Sequence, residues 1–267
     1  MANKLIDLES LLLNMGSVVV AYSGGVDSTF LAVVAHRVLG DKALAVTADS
    51  PLYPEAEVYS AQETARLFDL RHIIIRTQEL DNPLFVANSP DRCYYCKQEL
   101  FRQLQEIATK EGLCWVVDGS NYDDLSDHRP GRRAAAEMGV RSPLCEVGLT
   151  KDEIRHFSKD MGLPTWDKPS LACLASRLPY GTEVTTEVVE RIGQAEDYLR
   201  RLGVRQVRVR HHGDTARIEV DPESMSILVA RRREIVAQFQ KLGYTYISLD
   251  LQGYRSGSLN EVLRSTS

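Results

Sequence analysis

The run S-V-V-V-A-Y (Ser17 to Tyr22) passes without a spacer into S-G-G-V-D-S (Ser23 to Ser28) and then into a helical pattern that continues to Leu39. It is apolar and β-branched on both faces, the mark of a strand buried in a parallel sheet. The two glycines permit a tight turn and close backbone approach. The helix that follows offers unpaired N–H groups and the positive end of its dipole. A chain that opens in this way is confined to folds in which an anion sits at the carboxyl end of the first strand.

The same rhythm continues. Ala43 to Asp49 reads as a second strand, Pro54 to Asp69 as a helix and His72 to Arg76 as a third strand. A helix from about Cys96 to Glu111, a strand from Cys114 to Asp118, an irregular stretch from Gly119 to Arg133 and a helix beginning near Thr150 follow. Alternating strands and helices predict an α/β fold, a doubly wound parallel sheet with right-handed crossovers. Pro164, Pro169, Pro179 and Gly181 mark an extended segment. A boundary there divides the chain into residues 1–178 and 179–267. The second part reads as a small α+β domain: helix Thr186–Leu202, strands Gln206–Arg210 and Thr215–Val220, helix Pro222–Leu242 and strand Tyr244–Leu249. A length of 267 residues accommodates one large domain or two.

Composition narrows the function. Hydrophobic residues make up 43% and charged residues 26%, which excludes a disordered or fibrous chain. The longest apolar runs, such as Leu11 to Leu13 and Ile73 to Ile75, fall far short of the ~20 residues of a membrane span, and no signal-peptide pattern opens the chain, so a cytoplasmic protein is expected. A net charge of −5 argues against a nucleic-acid coat. From Pro179 onward, 13 basic residues stand against 12 acidic ones, and nearly all of the basic ones are arginine, suited to holding phosphate.

In the glycine loop Ser23, Gly24, Gly25 and Ser28 are candidate phosphate ligands. Asp27 would repel a phosphate directly, so its expected role is to hold Mg²⁺ or to cap the helix. The lysine of a Walker loop is missing. A plain glycine turn is the competing reading, but the position in the βα unit is the one that anion binding requires. Asp49 and Ser50 end the second strand, and Asp118-Gly119-Ser120-Asn121 ends the fourth, on the same carboxyl edge. D-G-S-N is also compatible with a simple turn.

Cys93-Tyr94-Tyr95-Cys96 precedes the predicted helix, and Cys173 lies 77 residues after Cys96 in the segment Lys168 to Arg177. C-x-x-C spacing lets two thiolates reach one metal or cluster. Three convergent thiolates would hold three irons of a cubane and leave the fourth open, whereas a dithiol redox pair or packing cysteines remain alternatives. Cys114 and Cys145 read as structural.

S-G-G-V-D-S resembles the signature of the PP-loop ATP pyrophosphatases, which cleave ATP between its α and β phosphates. Together with C-Y-Y-C-K, P-S-L-A-C-L-A-S-R-L-P-Y-G, R-V-R and the terminal G-Y-R-S-G-S-L-N, the sequence is similar to the LarE family over nearly its whole length. The resemblance implies ATP-dependent sulfur transfer in synthesis of the nickel-pincer nucleotide cofactor: carboxylates of a pyridinium dicarboxylate mononucleotide are adenylated and converted to thiocarboxylates. It also implies ATP and pyrophosphate contacts at Asp49, Ser50 and Gly119, and a homo-oligomer. One subgroup spends a single cysteine, matched by Cys173, as a sulfur donor that ends as dehydroalanine. Another carries two more cysteines and a 4Fe-4S cluster. Cys93 and Cys96 place this chain nearer the second, with Cys173 as third ligand, a cluster-bound sulfide as nucleophile and the source of that sulfide undefined.

Arg208-Val209-Arg210 alternates on a predicted strand, so both guanidiniums project from one face. In the family this pair lies near the substrate phosphate and Arg177 lies beside the donor cysteine. A solvated ion-pair face with Glu219 is the competing reading. His211-His212-Gly213-Asp214 reads as a hairpin turn, and Arg231-Arg232-Arg233 as part of a helix. Thiolation of a tRNA base, an ammonia-using synthetase and an ATP-sensing module are the other functions a PP-loop allows. The acidic balance disfavours the first, and the cysteines are unexplained by the second.

Overall fold

The computed structural model of the protein describes residues 2–126, 130–169, 172–255 and 258–260. Ser170 and Leu171 of the P-S-L-A-C string, Ser256 and Gly257 of the terminal string, and residues 127–129 of the irregular stretch lie outside the described residues. The chain divides into two compact units, Met1–Phe85 with Pro90–Leu171 and Val86–Ser89 with Ala172–Ser267. Residues 172–178 thus go with the second unit.

The chain runs through α1 (Ala2–Met15), β1 (Val18–Ala21), α2 (Val26–Leu39), β2 (Ala43–Asp49), α3 (Glu55–Leu67), β3 (His72–Arg76) and a single-turn α4 (Pro83–Val86). Then come α5 (Arg92–Glu111), β4 (Trp115–Val117), α6 (Pro130–Glu137), a short α7 (Pro143–Glu146) and α8 (Lys151–Asp160). The four strands form a parallel sheet in the order β3-β2-β1-β4. Order reverses between β1 and β4, so the crevice of this doubly wound sheet opens at their carboxyl ends. The alternating strand residues feed separate layers. Val18 and Val20 join α1, α2, α3 and α8 in one core, while Val19 joins α5 and α6 in the other. The central strands β1 and β2 are covered on both faces, which explains their continuous apolar runs. Within the first core Phe30 of α2, fully buried, stacks on Phe157 of α8 with ring centroids 6.0 Å apart.

The second unit holds α9 (Thr186–Arg201), β5 (Val207–His212), β6 (Thr215–Val220), α10 (Met225–Ala230), α11 (Arg232–Lys241) and β7 (Tyr246–Leu249). Its sheet runs β5-β6-β7; β5 and β6 are an antiparallel hairpin turned at Gly213, and β7 adds parallel to β6. The expected helix over Pro222–Leu242 is broken at Arg231. The break lets Leu228 of α10 and Ile235 and Phe239 of α11 enter one core. Among the described residues no helix is long and apolar enough to cross a membrane.

Two expectations about cysteines are corrected. Cys93 and Cys96 do not precede the helix but lie in its first turns, because α5 starts at Arg92, two residues after Pro90. Cys114 does not open the strand: β4 begins at Trp115, and Cys114 lies before it and is exposed.

Phe30→Ala removes one of two stacked rings and is expected to destabilise the first unit by about 3–5 kcal/mol, read from urea unfolding curves of the two proteins.

Candidate active site

The glycine loop spans the gap between β1 and α2. Gly24 has φ +67°, and a Cβ built on it would lie 2.7 Å from the Cβ of Ala61 on α3. Only glycine satisfies both the conformation and the contact. Tyr22, just before the loop, donates its hydroxyl to the Ala61 carbonyl at 3.1 Å and so fixes α3 against the turn. Burial pushes the Tyr22 phenol up, with Thr29 and Thr64 opposing, so it stays a neutral donor. Gly119 closes the other side. A Cβ there would stand 3.0 Å from the Ser28 nitrogen and 3.1 Å from its Cα, so the turn after β4 packs directly on the start of α2.

Gly25 is the N-cap of α2 and supplies no side-chain cap. The Ser23 and Ser28 hydroxyls are 3.0 Å apart, and the Ser23 N–H donates to Ser28 Oγ at 3.2 Å. The Gly25 N–H faces Ser23 Oγ at a long 3.4 Å. These donors and the helix dipole make a cradle for a phosphate oxygen. Asp27 stands in the first turn. Its Oδ2 pairs with Lys151 Nζ at 2.5 Å, while its Oδ1 is buried with no hydrogen-bond partner. A buried carboxylate oxygen left over beside a phosphate cradle suits a divalent cation.

Lys151 was not expected from the sequence. It is the first residue of α8, where Thr150 and Glu153 form a capping box and Asp123 accepts the Lys151 N–H at 2.8 Å. The T-x-x-E string announces the helix start, but nothing local ties its lysine to a loop 124 residues away. Lys168 was also missed. Its ammonium reaches the Gly24 carbonyl at 3.0 Å and Glu57 of α3 at 2.7 Å. Two lysines from later in the chain thus meet the loop, Lys151 at Asp27 and Lys168 at the Gly24 carbonyl.

The neighbouring strand ends are arranged differently. Asp49 ends β2, and its carbonyl accepts the Thr77 N–H. Ser50 is buried; its hydroxyl donates to Glu79 at 3.1 Å and accepts the Leu52 N–H. Asp118 accepts hydrogen bonds from the Ser120 N–H, the Ser120 hydroxyl and the Ser142 hydroxyl, bracing the turn that contains Gly119. Cys93 and Cys96 sit three residues apart on α5, and Cys96 Sγ lies 3.9 Å from buried Glu79. The pair suits two ligands of a metal centre. Among the described residues, however, no three Cys, His, Asp or Glu side chains are gathered as a ligand set.

In the second unit Arg177 is 1% exposed and fully committed. Nε and Nη2 form a bidentate pair with Glu196 at 2.8 and 3.0 Å, and Nη1 donates to the carbonyls of Ala172 and Cys173 at 2.6 and 2.9 Å. Glu196, fully buried, also accepts Arg200 and the Val209 N–H. Burial alone would raise this carboxyl, but the guanidiniums of Arg177, Arg200 and Arg208 hold it below the usual carboxylate range. Arg210 donates to the Ser176 carbonyl, Glu219 and Ser258. Arg208, brought down to about 10 by burial and by Arg177, stays charged at neutral pH and lies over the Tyr254 ring. The R-x-R pair is therefore buried, not a solvated face, and the turn bearing Cys173 is gripped by its carbonyls.

A loop of this sequence, at the switch point of a 3-2-1-4 parallel sheet, makes the first unit that of a PP-loop ATP pyrophosphatase. No family model matches the chain. An uncharacterized protein of Synechocystis is 48% identical over 98% of this chain and 98% of its own. The pyridinium-3,5-bisthiocarboxylic acid mononucleotide synthase of Lactiplantibacillus plantarum is 36% identical over 98% of this chain and 96% of its own. A subunit of the glutamine-hydrolyzing GMP synthase of Archaeoglobus fulgidus is 28% identical over 67% of this chain and 63% of its own. The chain belongs to the family of pyridinium-3,5-bisthiocarboxylic acid mononucleotide synthases, LarE.

Gly119→Ala drives a methyl into the backbone of Ser28 and is expected to weaken ATP binding by about 10- to 100-fold, the equivalent of the ~1–3 kcal/mol typical of overpacking, with an unchanged circular dichroism spectrum; titration calorimetry reads the difference. Because Glu196 is held below its unfolded carboxyl value of ~4.3, its stabilisation is present above that pH and is lost as pH falls through the folded value. The unfolding free energy should drop on acidification below about pH 4, and Glu196→Gln should flatten that limb while costing about 3–5 kcal/mol at pH 7.

Proposed function

We propose that this enzyme uses ATP to adenylate the carboxylates of a pyridinium dicarboxylate mononucleotide and replaces AMP by sulfur, giving the thiocarboxylates needed for a nickel-pincer nucleotide cofactor. The observation that carries this reading is the near full-length relation to a synthase named for the bisthiocarboxylic product, joined to an intact phosphate loop. We further assign it to the cytoplasm as a homo-oligomer, in keeping with the resemblance.

A carboxylate resists attack until its oxygen is made a leaving group, and an acyl adenylate does this at the expense of the bond between the α and β phosphates. Ser23, Gly24, Gly25, Ser28 and Gly119 form the cradle for pyrophosphate, and Lys151 contributes positive charge beside it. Asp49 and Ser50 belong to the same nucleotide edge, Asp49 at its rim and Ser50 as support through Glu79. The orphaned Oδ1 of Asp27 supports a Mg²⁺ site; when bound, that ion neutralises charge on the departing pyrophosphate. Arg208 and Arg210 are assigned to the substrate phosphate in keeping with the resemblance, supplying positive charge rather than a free guanidinium fork, since Arg210 is already bonded to Glu219 and Ser258.

The sulfur source has two readings. In the first, Cys93, Cys96 and Cys173 hold a 4Fe-4S cluster that carries an exchangeable sulfide from a donor still to be identified; the C-x-x-C spacing on one helix supports it. In the second, Cys173 is itself the donor: its thiolate attacks the acyl adenylate, AMP leaves, and loss of the Cys173 Cα proton with cleavage of Cβ–Sγ yields a thiocarboxylate and dehydroalanine. A specific contact favours the second. Arg177 Nη1 donates to the Cys173 carbonyl at 2.9 Å, where a guanidinium stabilises the negative charge that Cα deprotonation places on that oxygen. Arg177 then acts on Cys173 rather than on substrate.

Pyrophosphate release that depends on the pyridinium dicarboxylate mononucleotide, with thiocarboxylate detected by mass spectrometry, tests the reaction; ATP binding without release would overturn it. Cys173→Ser is expected to abolish thiocarboxylate formation while sparing pyrophosphate release. Near four irons and four acid-labile sulfides per anaerobically purified chain, lost in Cys93→Ala, support the cluster. Iron-free active protein whose Cys173 loses 34 Da, the mass of H₂S, supports the sacrificial donor.

A further inference from the structure

Lys168 lies in the proline-rich segment after α8, and its ammonium is 17% exposed and directed at the phosphate loop. Its two partners are the Gly24 carbonyl at 3.0 Å and Glu57 at 2.7 Å. The lysine is itself held in place: Arg155 of α8 donates to the carbonyls of Trp166 and Lys168 at 2.8 and 3.0 Å.

The carbonyl of Gly24 belongs to the same planar peptide as the N–H of Gly25. In a trans peptide these two groups point in opposite directions. The N–H of Gly25 is on the side of the Ser23 hydroxyl, 3.4 Å away, and Ser23 Oγ is in turn 3.0 Å from Ser28 Oγ. That is the face that receives phosphate. A peptide flanked by glycine on both sides meets little steric resistance to rotating end for end, and Gly24 already occupies the left-handed region at φ +67°. Rotation would turn the Gly24 oxygen inward and present an acceptor, instead of the Gly25 N–H, to an anion.

We propose that Lys168 is a positioning residue that locks the Gly24–Gly25 peptide in the orientation competent for phosphate. It holds the Gly24 oxygen outward, so the Gly25 N–H remains aimed at the anion. Glu57 keeps the ammonium over that oxygen when no nucleotide is bound. This inference rests on the loop's binding of ATP and deepens that reading by one residue.

The test compares the full-length protein with Lys168→Met and Lys168→Arg, titrated calorimetrically with ATP, pyrophosphate and adenosine at 50 to 300 mM salt. The parent is expected to bind all three. Lys168→Met should weaken ATP and pyrophosphate by about 10- to 100-fold and leave adenosine within about twofold; Lys168→Arg, which retains an N–H donor, should recover most of the loss. The salt dependence of pyrophosphate binding should be the same in parent and Lys168→Met, because the lysine acts on the loop and not on the phosphate. Parent-like pyrophosphate binding by Lys168→Met, an equal loss for adenosine, or a shallower salt dependence in Lys168→Met would each overturn the lock. Failure of the parent to bind pyrophosphate or ATP would overturn the nucleotide reading along with it.

Discussion

At the start of α2 the backbone N–H groups receive no side-chain cap, and the positive end of the helix faces the crevice of the sheet. The first unit is organised to keep that end open without letting it collapse. Strand β1 delivers the chain to it, Tyr22 ties the turn to α3 through Ala61, and the turn after β4 brings Gly119 against Ser28 from the other side. Lys151 balances Asp27 in the first helical turn. An unsatisfied helix end is a fault elsewhere in a protein; here it is the feature on which the proposed binding of phosphate rests.

The second unit solves a different problem, which is to fix a short irregular turn. Backbone carbonyls of residues 172, 173 and 176 point into a cluster of guanidiniums, and Glu196 and Glu219 balance that positive charge. Hydrogen bonds from charged groups in a dry setting are strong, but losing one partner leaves an expensive buried charge. Cys173 therefore sits on a turn with little freedom to rearrange, as the donor role proposed for it would require of a sulfur that meets an acyl group in one orientation.

Much of this was legible in the sequence, for reasons that differ by element. Strands β1, β2 and β3 are continuous apolar runs bounded by turn residues, and the loop is a local string whose meaning depends only on its place between strand and helix. α1 is marked only by Leu5, Leu8, Leu12 and Met15 at helical spacing; its first turn holds no acidic residue and its last turn no basic one to signal its ends. The start of α5 was misplaced because Pro90 breaks the pattern only two residues before the helix begins. Lys151 and Lys168 were invisible for a deeper reason: each meets the loop through tertiary contact across more than a hundred residues, and no local pattern encodes that. Arg177, Arg208 and Arg210 were found as residues, but their burial against Glu196 and Glu219 depends on packing of α9, β5 and β6.

The contact between Gly24 and Ala61 carries a consequence for how such a sequence can vary. Because the space above Gly24 is already filled by the methyl group of fully buried Ala61, a larger side chain at position 61 meets the loop on one side and packed core on the others. A library randomised at this one site on an otherwise ordinary helix and selected for nucleotide use would return alanine and glycine and little else. The tolerance of this buried helical position is set in part by a turn 37 residues earlier in the chain.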